Sequence, residues 1–291
     1  MDPALVAQLL LGGLLLGGIY AMTALGLSLI FGVSRVLNLA HGDFVMLGGL
    51  AAFVLFSSFS LNPFLSLVVL VPIFLVLGGL CERLFIRPIA DKAFHERLIA
   101  SVLVTLGLSL AISDTAAFFW GTYVKGVSIS MPTVELLGVY LPLLRLLTLA
   151  VIVALTVALH QFLFRSYLGR AIRALAQNRQ GALLVGINGG QISAITFGVG
   201  TALAALAGVF YLLLFTVSPY IGMPLVLKAL TIIVLGGLGS LMGALWGGVI
   251  LGVAETMTGF WLGDKWSPTV ATLLLLALLV VRPGGLFGRR E

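Results

Sequence analysis

The sequence predicts an all-α polytopic integral membrane protein with roughly eight hydrophobic segments, of which one or two are broken or re-entrant. Of its 291 residues, 60% are hydrophobic and 9% are charged, whereas a soluble domain carries roughly 25% charged residues. The stretch from residue 3 to residue 34 contains no charged residue, although about 20 residues already cross a bilayer core of about 30 Å. The chain therefore lacks the charge to face water and has segments that fit a membrane.

Eight apolar runs follow one another and define a single transmembrane domain over residues 1–291. The runs cover residues 5–31, 44–59, 64–80, 99–120, 143–163, 191–215, 225–254 and 268–281. Between them lie two basic stretches at 81–98 and 165–190, a loop at 121–142, and a tail at 282–291. The first four residues lack the positive region of a cleaved signal peptide, so we expect the first run to stay in the mature protein.

The basic residues predict the sidedness of these runs. Eleven of the sixteen fall in the stretches 81–98 and 165–190 and in the tail 282–291. Because Lys and Arg accumulate in cytoplasmic loops, we predict that all three are cytoplasmic and that the N-terminus lies outside. Three runs separate the second stretch from the tail, whereas an even number of crossings is required. The run 225–254 must then be two short elements broken at 236–239, or a re-entrant hairpin.

Glycines recur at four-residue spacing, as at Gly13 and Gly17 and again at Gly248 and Gly252. This spacing places them on one helix face, where the missing side chains let two backbones approach closely. It fits helix packing within one chain, and it also fits a transport bundle with a second copy or a partner chain.

Several kinds of chemistry are absent from the sequence. None of the four lysines follows a glycine, so the chain has no loop of the type that binds and hydrolyses ATP. The single cysteine, Cys81, and the three histidines share no metal-ligand spacing. We therefore expect no enzyme activity, no bound cofactor or metal, and no nucleic-acid partner.

A polar stretch interrupts the first two apolar runs at Asn38, His41 and Asp43. Asp43 would stand at the N-terminus of the next helix, where a carboxylate complements the free N–H groups and the positive dipole end. Alternatively, the stretch breaks a helix and lines a cavity, as in many transporters. Of the other charged residues within apolar runs, we expect Asp114 to be hydrated near the outer end of its span, with a substrate-pathway or interhelical hydrogen-bonding role as the alternative. We expect Lys228 to snorkel to the interface.

Longer sequence blocks then match a known family. The most specific is Val36-Leu37-Asn38-Leu39-Ala40-His41-Gly42-Asp43-Phe44, which follows a glycine-rich first span beginning at Gly17. Shorter blocks agree in order at 105–109, 169–174, 184–188 and 235–240. Together they resemble LivH-type permeases, the membrane subunits of high-affinity branched-chain amino acid ABC importers, over essentially the whole chain.

The resemblance implies several partners: a second permease subunit of the LivM type, two cytoplasmic ATPase subunits that bind ATP, and a periplasmic substrate-binding protein. It also implies that the 165–190 segment is the ATPase coupling loop, and its expected coupling residues are Arg165, Gly169, Arg170, Arg173, Ala176, Arg179 and Gly186. Gly181 stands where the family pattern favours alanine, and Asp114 stands where a polar amide is commoner.

The function predicted on this basis is ATP-driven import of branched-chain amino acids across the bacterial inner membrane by alternating access. We assign the substrate pathway to Asn38, His41, Asp43, Thr105, Gly236, Gly237 and Gly239. Within the family, a permease for urea, short amides or other amino acids is the alternative. A self-sufficient channel or secondary carrier, which would need no partner, is an alternative from a different class.

Overall fold

The computed structural model describes residues 3–136, 139–282 and 285–286. Eleven α-helices dominate it: α1 Pro3–Ser34, α2 His41–Phe59, α3 Pro63–Cys81, α4 Phe94–Trp120, α5 Leu143–Arg165, α6 Tyr167–Gln177, α7 Arg179–Leu184, α8 Gly189–Leu214, α9 Gly222–Gly236, α10 Leu241–Leu262 and α11 Ser267–Val281. Two short antiparallel strands, β1 Thr133–Leu136 and β2 Val139–Pro142, pair across the predicted 121–142 loop. The basic stretch 81–98 is largely helical, with a π-helical turn at Glu82–Ile86 and a 3₁₀ turn at Arg87–Ile89 before α4.

The prediction of an all-α polytopic membrane protein is confirmed. Within the described residues, seven helices are long and apolar enough to cross a membrane, and α9 is a shorter apolar helix. Helices α1 and α8 form the centre, since 89% and 83% of their most apolar windows are buried inside the protein. In α4 and α5 only 17% is buried, so their apolar side chains are available to lipid.

The spaced glycines pack helices within this one chain. A methyl group added at Gly17 would meet the backbone of Val249 and Gly248, and one added at Gly252 would meet the backbone of Gly13 and Gly17. Helices α1 and α10 therefore pack antiparallel with their backbones in contact. Of the two explanations for the glycine spacing, the contacts at these positions are those of helix packing within one chain.

The run 225–254 consists of two helices that meet at 236–239. That both of them cross the membrane stays a prediction. Helices α9 and α10 form an antiparallel hairpin in which Gly236 packs on Gly243 and Gly247 packs on Ile232. The turn between them uses Gly237 and Gly239 with φ of 98° and 80°, values that glycine adopts without strain. Leu286 donates its N–H to the carbonyl of Leu235 over 2.9 Å, which places this part of the tail at the same end of the bundle as the turn. The tail residues 283–284 and 287–291, including Arg289 and Arg290, lie outside the described residues.

Helix α9 begins deep within the bundle. In the chain between α8 and α9, Val217 is buried and paired in both directions with Lys125 through N–H···O bonds of 2.7 Å. Gly222, the first residue of α9, contacts Asp43 near the start of α2. With 15 residues, α9 rises only about 22 Å, which is less than the thickness of a bilayer core. The chain is therefore interrupted before α9 as well as at the predicted position, 236–239.

Candidate functional site

The polar stretch between α1 and α2 is a break within the bundle. Helix α1 ends at Ser34, Arg35 takes a φ of 53°, and α2 begins at His41. The side chains of Asn38, His41 and Asp43 are all completely buried. Four of the seven predicted pathway residues, these three and Thr105, therefore lie in one buried region.

Helix α4 supplies hydrogen bonds to the backbone of this break. The N–H of Leu39 donates to Thr105 Oγ1 over 3.0 Å, and the N–H of Leu37 donates to Ser101 Oγ over 3.2 Å. Thr105 Oγ1 in turn lies 3.2 Å from the carbonyl oxygen of Leu37. Non-helical backbone inside a membrane protein is stable only where such partners exist, so α4 holds the break in place.

These partners belong to a stripe of hydroxyl side chains on α4 that we did not identify from the sequence. The stripe consists of Ser101, Thr105, Ser109 and Ser113, each four residues after the last. Four-residue spacing places all of them on one helix face. The spacing was visible in the sequence and would have revealed the face that meets the break.

Asp43 is stabilised by groups from three helices. Its Oδ1 accepts a hydrogen bond from Ser113 Oγ over 2.9 Å, and Ser109 lies within reach of the same carboxylate. A methyl group added at Gly222 would collide with this carboxylate, so the first residue of α9 lies against it. The N-termini of α2 and α9 thus both meet a negative charge, which each helix dipole favours. The N-cap of α2 is Ala40, with no side-chain cap hydrogen bond, and Asp43 lies in the first turn of the helix; the assignment of Asp43 to a substrate pathway stays a prediction.

Several polar atoms at the break form no hydrogen bond within the described chain. They are Oδ1 and Nδ2 of Asn38, Nδ1 of His41 and Oδ2 of Asp43. His41 Nε2 lies 3.0 Å from the carbonyl oxygen of Thr23, so Nε2 is the protonated nitrogen and Nδ1 is an acceptor. Because an unpaired buried polar group costs about 1–3 kcal/mol, these atoms are the natural contacts for a polar group that enters the bundle.

The three glycines assigned to the pathway lie elsewhere. Gly236 packs on Gly243 in the α9–α10 turn, and a methyl group added at Gly239 would lie 3.6 Å from the Cα of Gly32 near the end of α1. The structure therefore does not bring Gly236, Gly237 and Gly239 to the break, and their observed contacts are those of a close-packed turn.

The expectation that Lys228 snorkels to the interface is wrong. Its Nζ donates to Glu255 Oε2 over 2.8 Å and to the Tyr20 hydroxyl over 2.5 Å. Tyr20 also donates to Glu255 Oε2 over 2.8 Å. Glu255 is 2% exposed, so a charged cluster of Tyr20, Lys228 and Glu255 joins α1, α9 and α10 inside the bundle. Asp114, by contrast, is exposed, and its hydration near a span end stays a prediction.

The 165–190 segment folds into the two short helices α6 and α7. Ser166 caps α6 by accepting the N–H of Gly169 over 2.9 Å, and Asn178 caps α7 by accepting the N–H of Gly181 over 2.9 Å. A methyl group at Gly169 would collide with the backbone of Leu163, so glycine is needed where α6 folds back on α5. One face of α6 is buried, and its members are Gly169, Ala171, Ile172 and Leu175.

The predicted coupling residues divide by their contacts. Arg165 and Arg170 are exposed, whereas Arg173 donates from Nε to the carbonyl oxygen of Leu163 over 3.1 Å and lies over the ring of Phe164. Ala176 packs near Gly32 of α1, 3.8 Å from an added methyl group there. Arg179 begins α7, and Gly186 makes a turn with φ of 85°.

An outward-facing surface remains on this segment. Tyr167, Leu184 and Val185 are 71%, 88% and 77% exposed, and Arg165 and Arg170 are exposed beside them in sequence. Large apolar side chains exposed together with arginines are typical of a surface that binds another protein.

A helical bundle with two interior breaks and an outward-facing segment of this kind defines a membrane transport protein. A family model described as "Branched-chain amino acid transport system / permease component" matches residues 9–282. The chain belongs to this permease family, as its sequence blocks indicated.

Curated relatives match over nearly their full length. The permease protein BraD of the high-affinity branched-chain amino acid transport system of Pseudomonas aeruginosa is 32% identical over 98% of this chain and 96% of its own. The corresponding LivH of Escherichia coli K12 is 31% identical with the same coverage, and a probable LivH of Methanocaldococcus jannaschii is 25% identical over 97% of this chain and 92% of its own. Among solved structures, PsaBC from Streptococcus pneumoniae in complex with Fab aligns over 94% of this chain and 91% of that one, with 12% identity and a TM-score of 0.49.

Proposed function

We propose that this chain is the transmembrane permease subunit of an ATP-driven importer for branched-chain amino acids. The observation that carries the proposal is the full-length permease family match in a chain that has no nucleotide-binding loop of its own. Such a chain needs a partner that hydrolyses ATP, and its 165–190 segment has a surface suited to one.

The partners in this proposal are two cytoplasmic ATPase subunits, a second permease subunit of the LivM type and a periplasmic substrate-binding protein. The location is the bacterial inner membrane, with the N-terminus outside and the C-terminus in the cytoplasm, as the basic stretches predict. ATP is bound by the partner ATPases, and this chain needs no cofactor.

The coupling step begins at the exposed surface of the 165–190 segment. An ATPase groove would receive Tyr167, Leu184 and Val185, which are apolar and exposed. Motion of α6 reaches the bundle because Gly169 packs directly on α5 and Ala176 packs near α1. Arg170 contributes charge to the docking surface, whereas Arg173 ties α6 to the end of α5.

The substrate step involves the break. The carboxylate of Asp43 and the unpaired atoms of Asn38 and His41 are a hydrogen-bonding set for a zwitterion passing through an apolar bundle. The hydroxyl stripe of α4 borders the same region and can rearrange its bonds without exposing backbone to lipid. The buried N-termini of α2 and α9 give these elements a joint that alternating access requires.

Reconstitution tests the proposal. Vesicles that contain the chain with both ATPases, the second permease subunit and the binding protein should take up leucine only when ATP is supplied to the ATPase side. Uptake by this chain alone would contradict it. Uptake of urea or short amides in preference to leucine, isoleucine and valine would support the alternative within the family.

Charge reversal tests the coupling surface. Arg170→Glu should reduce ATP-driven uptake at least about tenfold, because an exposed arginine at a protein interface becomes a repulsive charge. Arg145→Glu is the matched control. Arg145 is also exposed, but it lies at the start of α5, whereas the 165–190 segment follows the end of that helix. Unchanged uptake with Arg170→Glu would remove this surface from the coupling mechanism.

A further inference from the structure

A polar pocket lies between the 165–190 segment and the start of the break, since Arg179 and Val36 both line it. It has a volume of about 300 Å³ and is formed where the π-helical turn after α3 meets the ends of α1 and α8 and the start of α7. Pockets for small ligands run from about 300 to 1,000 Å³, so this one suits a ligand of amino acid size and not a nucleotide.

The pocket contains a buried carboxylate with an unused oxygen. Glu82 is 2% exposed, and its Oε2 forms no hydrogen bond within the described chain. Glu82 Oε2 forms an ion pair with Arg87, whose Nε is 3.8 Å away, too long for a hydrogen bond, and Ser193 lies within reach of the same carboxylate. The π-helical turn places Glu82 inward, and such turns occur frequently at functional sites. A buried carboxylate of this kind is suited to an ammonium group.

Opposite charge lines other parts of the same pocket. Arg87 and Arg179 both contribute, and the N-terminus of α8 enters at Asn188 and Gly190. A methyl group at Gly190 would lie 2.9 Å from Arg87 Nη2, so the glycine lets the guanidinium lie over the start of the helix. Two guanidinium groups and the N-terminus of a 26-residue helix form a binding region for a carboxylate.

Val36, Ile86 and Ala90 supply an apolar part of the wall, and Ser34, Ser193 and the carboxylate of Asp91 complete it. We propose that this pocket binds a free aliphatic α-amino acid, with the ammonium on Glu82, the carboxylate on Arg87, Arg179 and the α8 N-terminus, and the side chain against the apolar wall. An inorganic anion would satisfy the arginines but would meet the buried carboxylate of Glu82, and a simple amine would bring no carboxylate for Arg179 and the α8 N-terminus.

Occupation of the pocket would also connect moving parts. Arg179 is the first residue of α7 in the proposed coupling loop, and Glu82 belongs to the turn that follows α3. A ligand held by both would restrain α7 against the bundle. Amino acid accumulated on the side of the coupling loop would then slow further import, and this part of the inference rests on the proposed function.

Equilibrium binding of radiolabelled leucine tests the site. The full complex is placed in lipid nanodiscs without the substrate-binding protein. Glu82→Gln and Arg179→Gln should each weaken binding at least about tenfold, the loss expected for a hydrogen bond to a charged group. Glu96→Gln, an exposed carboxylate outside the pocket, is the matched control. Binding that survives Glu82→Gln but is lost with Asp43→Asn would place the ligand at the break and overturn the proposal.

Ligand analogues test the same assignment in the unaltered protein. 4-Methylpentanoate lacks the ammonium of leucine, and 3-methylbutylamine lacks its carboxylate. Neither should displace leucine at concentrations where unlabelled leucine does so completely. Displacement by either analogue, or by inorganic phosphate, at the concentration effective for leucine would overturn the two-charge recognition.

Vesicles preloaded with leucine test the restraint. Preloading on the ATPase side should slow ATP-driven import, and Glu82→Gln should remove that slowing. Equal inhibition of both proteins would overturn the restraint. If leucine is imported but its binding does not depend on Glu82, the proposed binding pocket is wrong and the proposed function stands. If leucine binding depends on Glu82 but no leucine is imported, the proposed function is wrong and the binding pocket stands.

Discussion

The charged cluster of Tyr20, Lys228 and Glu255 gives a quantitative test of how α9 is fixed in the bundle. Lys228→Met removes the only cation that contacts Glu255 within the described residues and leaves a single donor, the Tyr20 hydroxyl. Glu255→Gln removes the negative charge but keeps an acceptor for Tyr20. The two changes together remove both charges.

The structure sets the expected magnitudes. Breaking a buried ion pair from one side costs about 3–5 kcal/mol. The Lys228 side chain is 22% exposed and that of Glu255 is 2% exposed, so we expect the lower end, about 3 kcal/mol, for Lys228→Met. Glu255→Gln should cost about 1–2 kcal/mol because the partly exposed ammonium can still reach water. The double variant should cost about as much as Glu255→Gln alone, so the coupling free energy equals the cost of Lys228→Met, about 3 kcal/mol.

The free energy of unfolding measured by denaturant titration in mixed micelles gives all three values. Lys265→Met is the matched control, because Lys265 is exposed and forms no ion pair within the described residues, and its stability should match that of the unaltered protein. Additive effects of the two single changes, within about 0.5 kcal/mol, would refute the reasoning that the pair acts as a unit.

Two further predictions concern the break. Thr105→Val should lower the unfolding free energy by about 1–3 kcal/mol, because it removes the acceptor for a backbone N–H of the break. The control Thr156→Val should cost clearly less, since that hydroxyl bonds only within its own helix. Equal losses would contradict the role of Thr105 in holding the break. Gly42→Ala should abolish uptake or folding, because the added methyl group would collide with the carbonyl oxygen of Gly222. The control Gly107→Ala should be tolerated, because nothing lies within 4 Å of the added methyl group, and alanine favours the helix by up to about 1 kcal/mol. Equal uptake by the two variants would contradict the close approach of α2 and α9 at Gly42.

Much of the fold was predictable because a membrane imposes strong rules on composition. Apolar runs revealed the spans. The parity of the basic stretches required that 225–254 be two short elements or a re-entrant hairpin, and the structure has two helices there, α9 and α10. The break at Asn38, His41 and Asp43 was also visible in the sequence, because polar and ionisable residues are costly inside a membrane and seldom occur there without a function. The small-residue spacing correctly indicated close helix packing.

The re-entry of the chain before α9 could not be predicted in the same way. Residues 215–221 carry no charge, and Val217 among them is buried and paired with Lys125, nearly a hundred residues earlier. The glycines at 236–239 were assigned to the same pathway as the break because both regions interrupt apolar runs, but the break lies deep in the bundle and the glycine turn at one end of it.

The sequence by itself determined that this protein crosses a membrane many times, where its polar interruption lies and which family it belongs to, because hydropathy and short motifs are local properties. Only the tertiary structure decided which polar groups meet. Lys228 and Glu255 are 27 residues apart and pair because α9 and α10 form a hairpin against α1. Asp43 is buried beside Gly222 and Ser113 because helices distant in sequence converge there, and a charge in a low-dielectric interior persists only where such partners are brought to it.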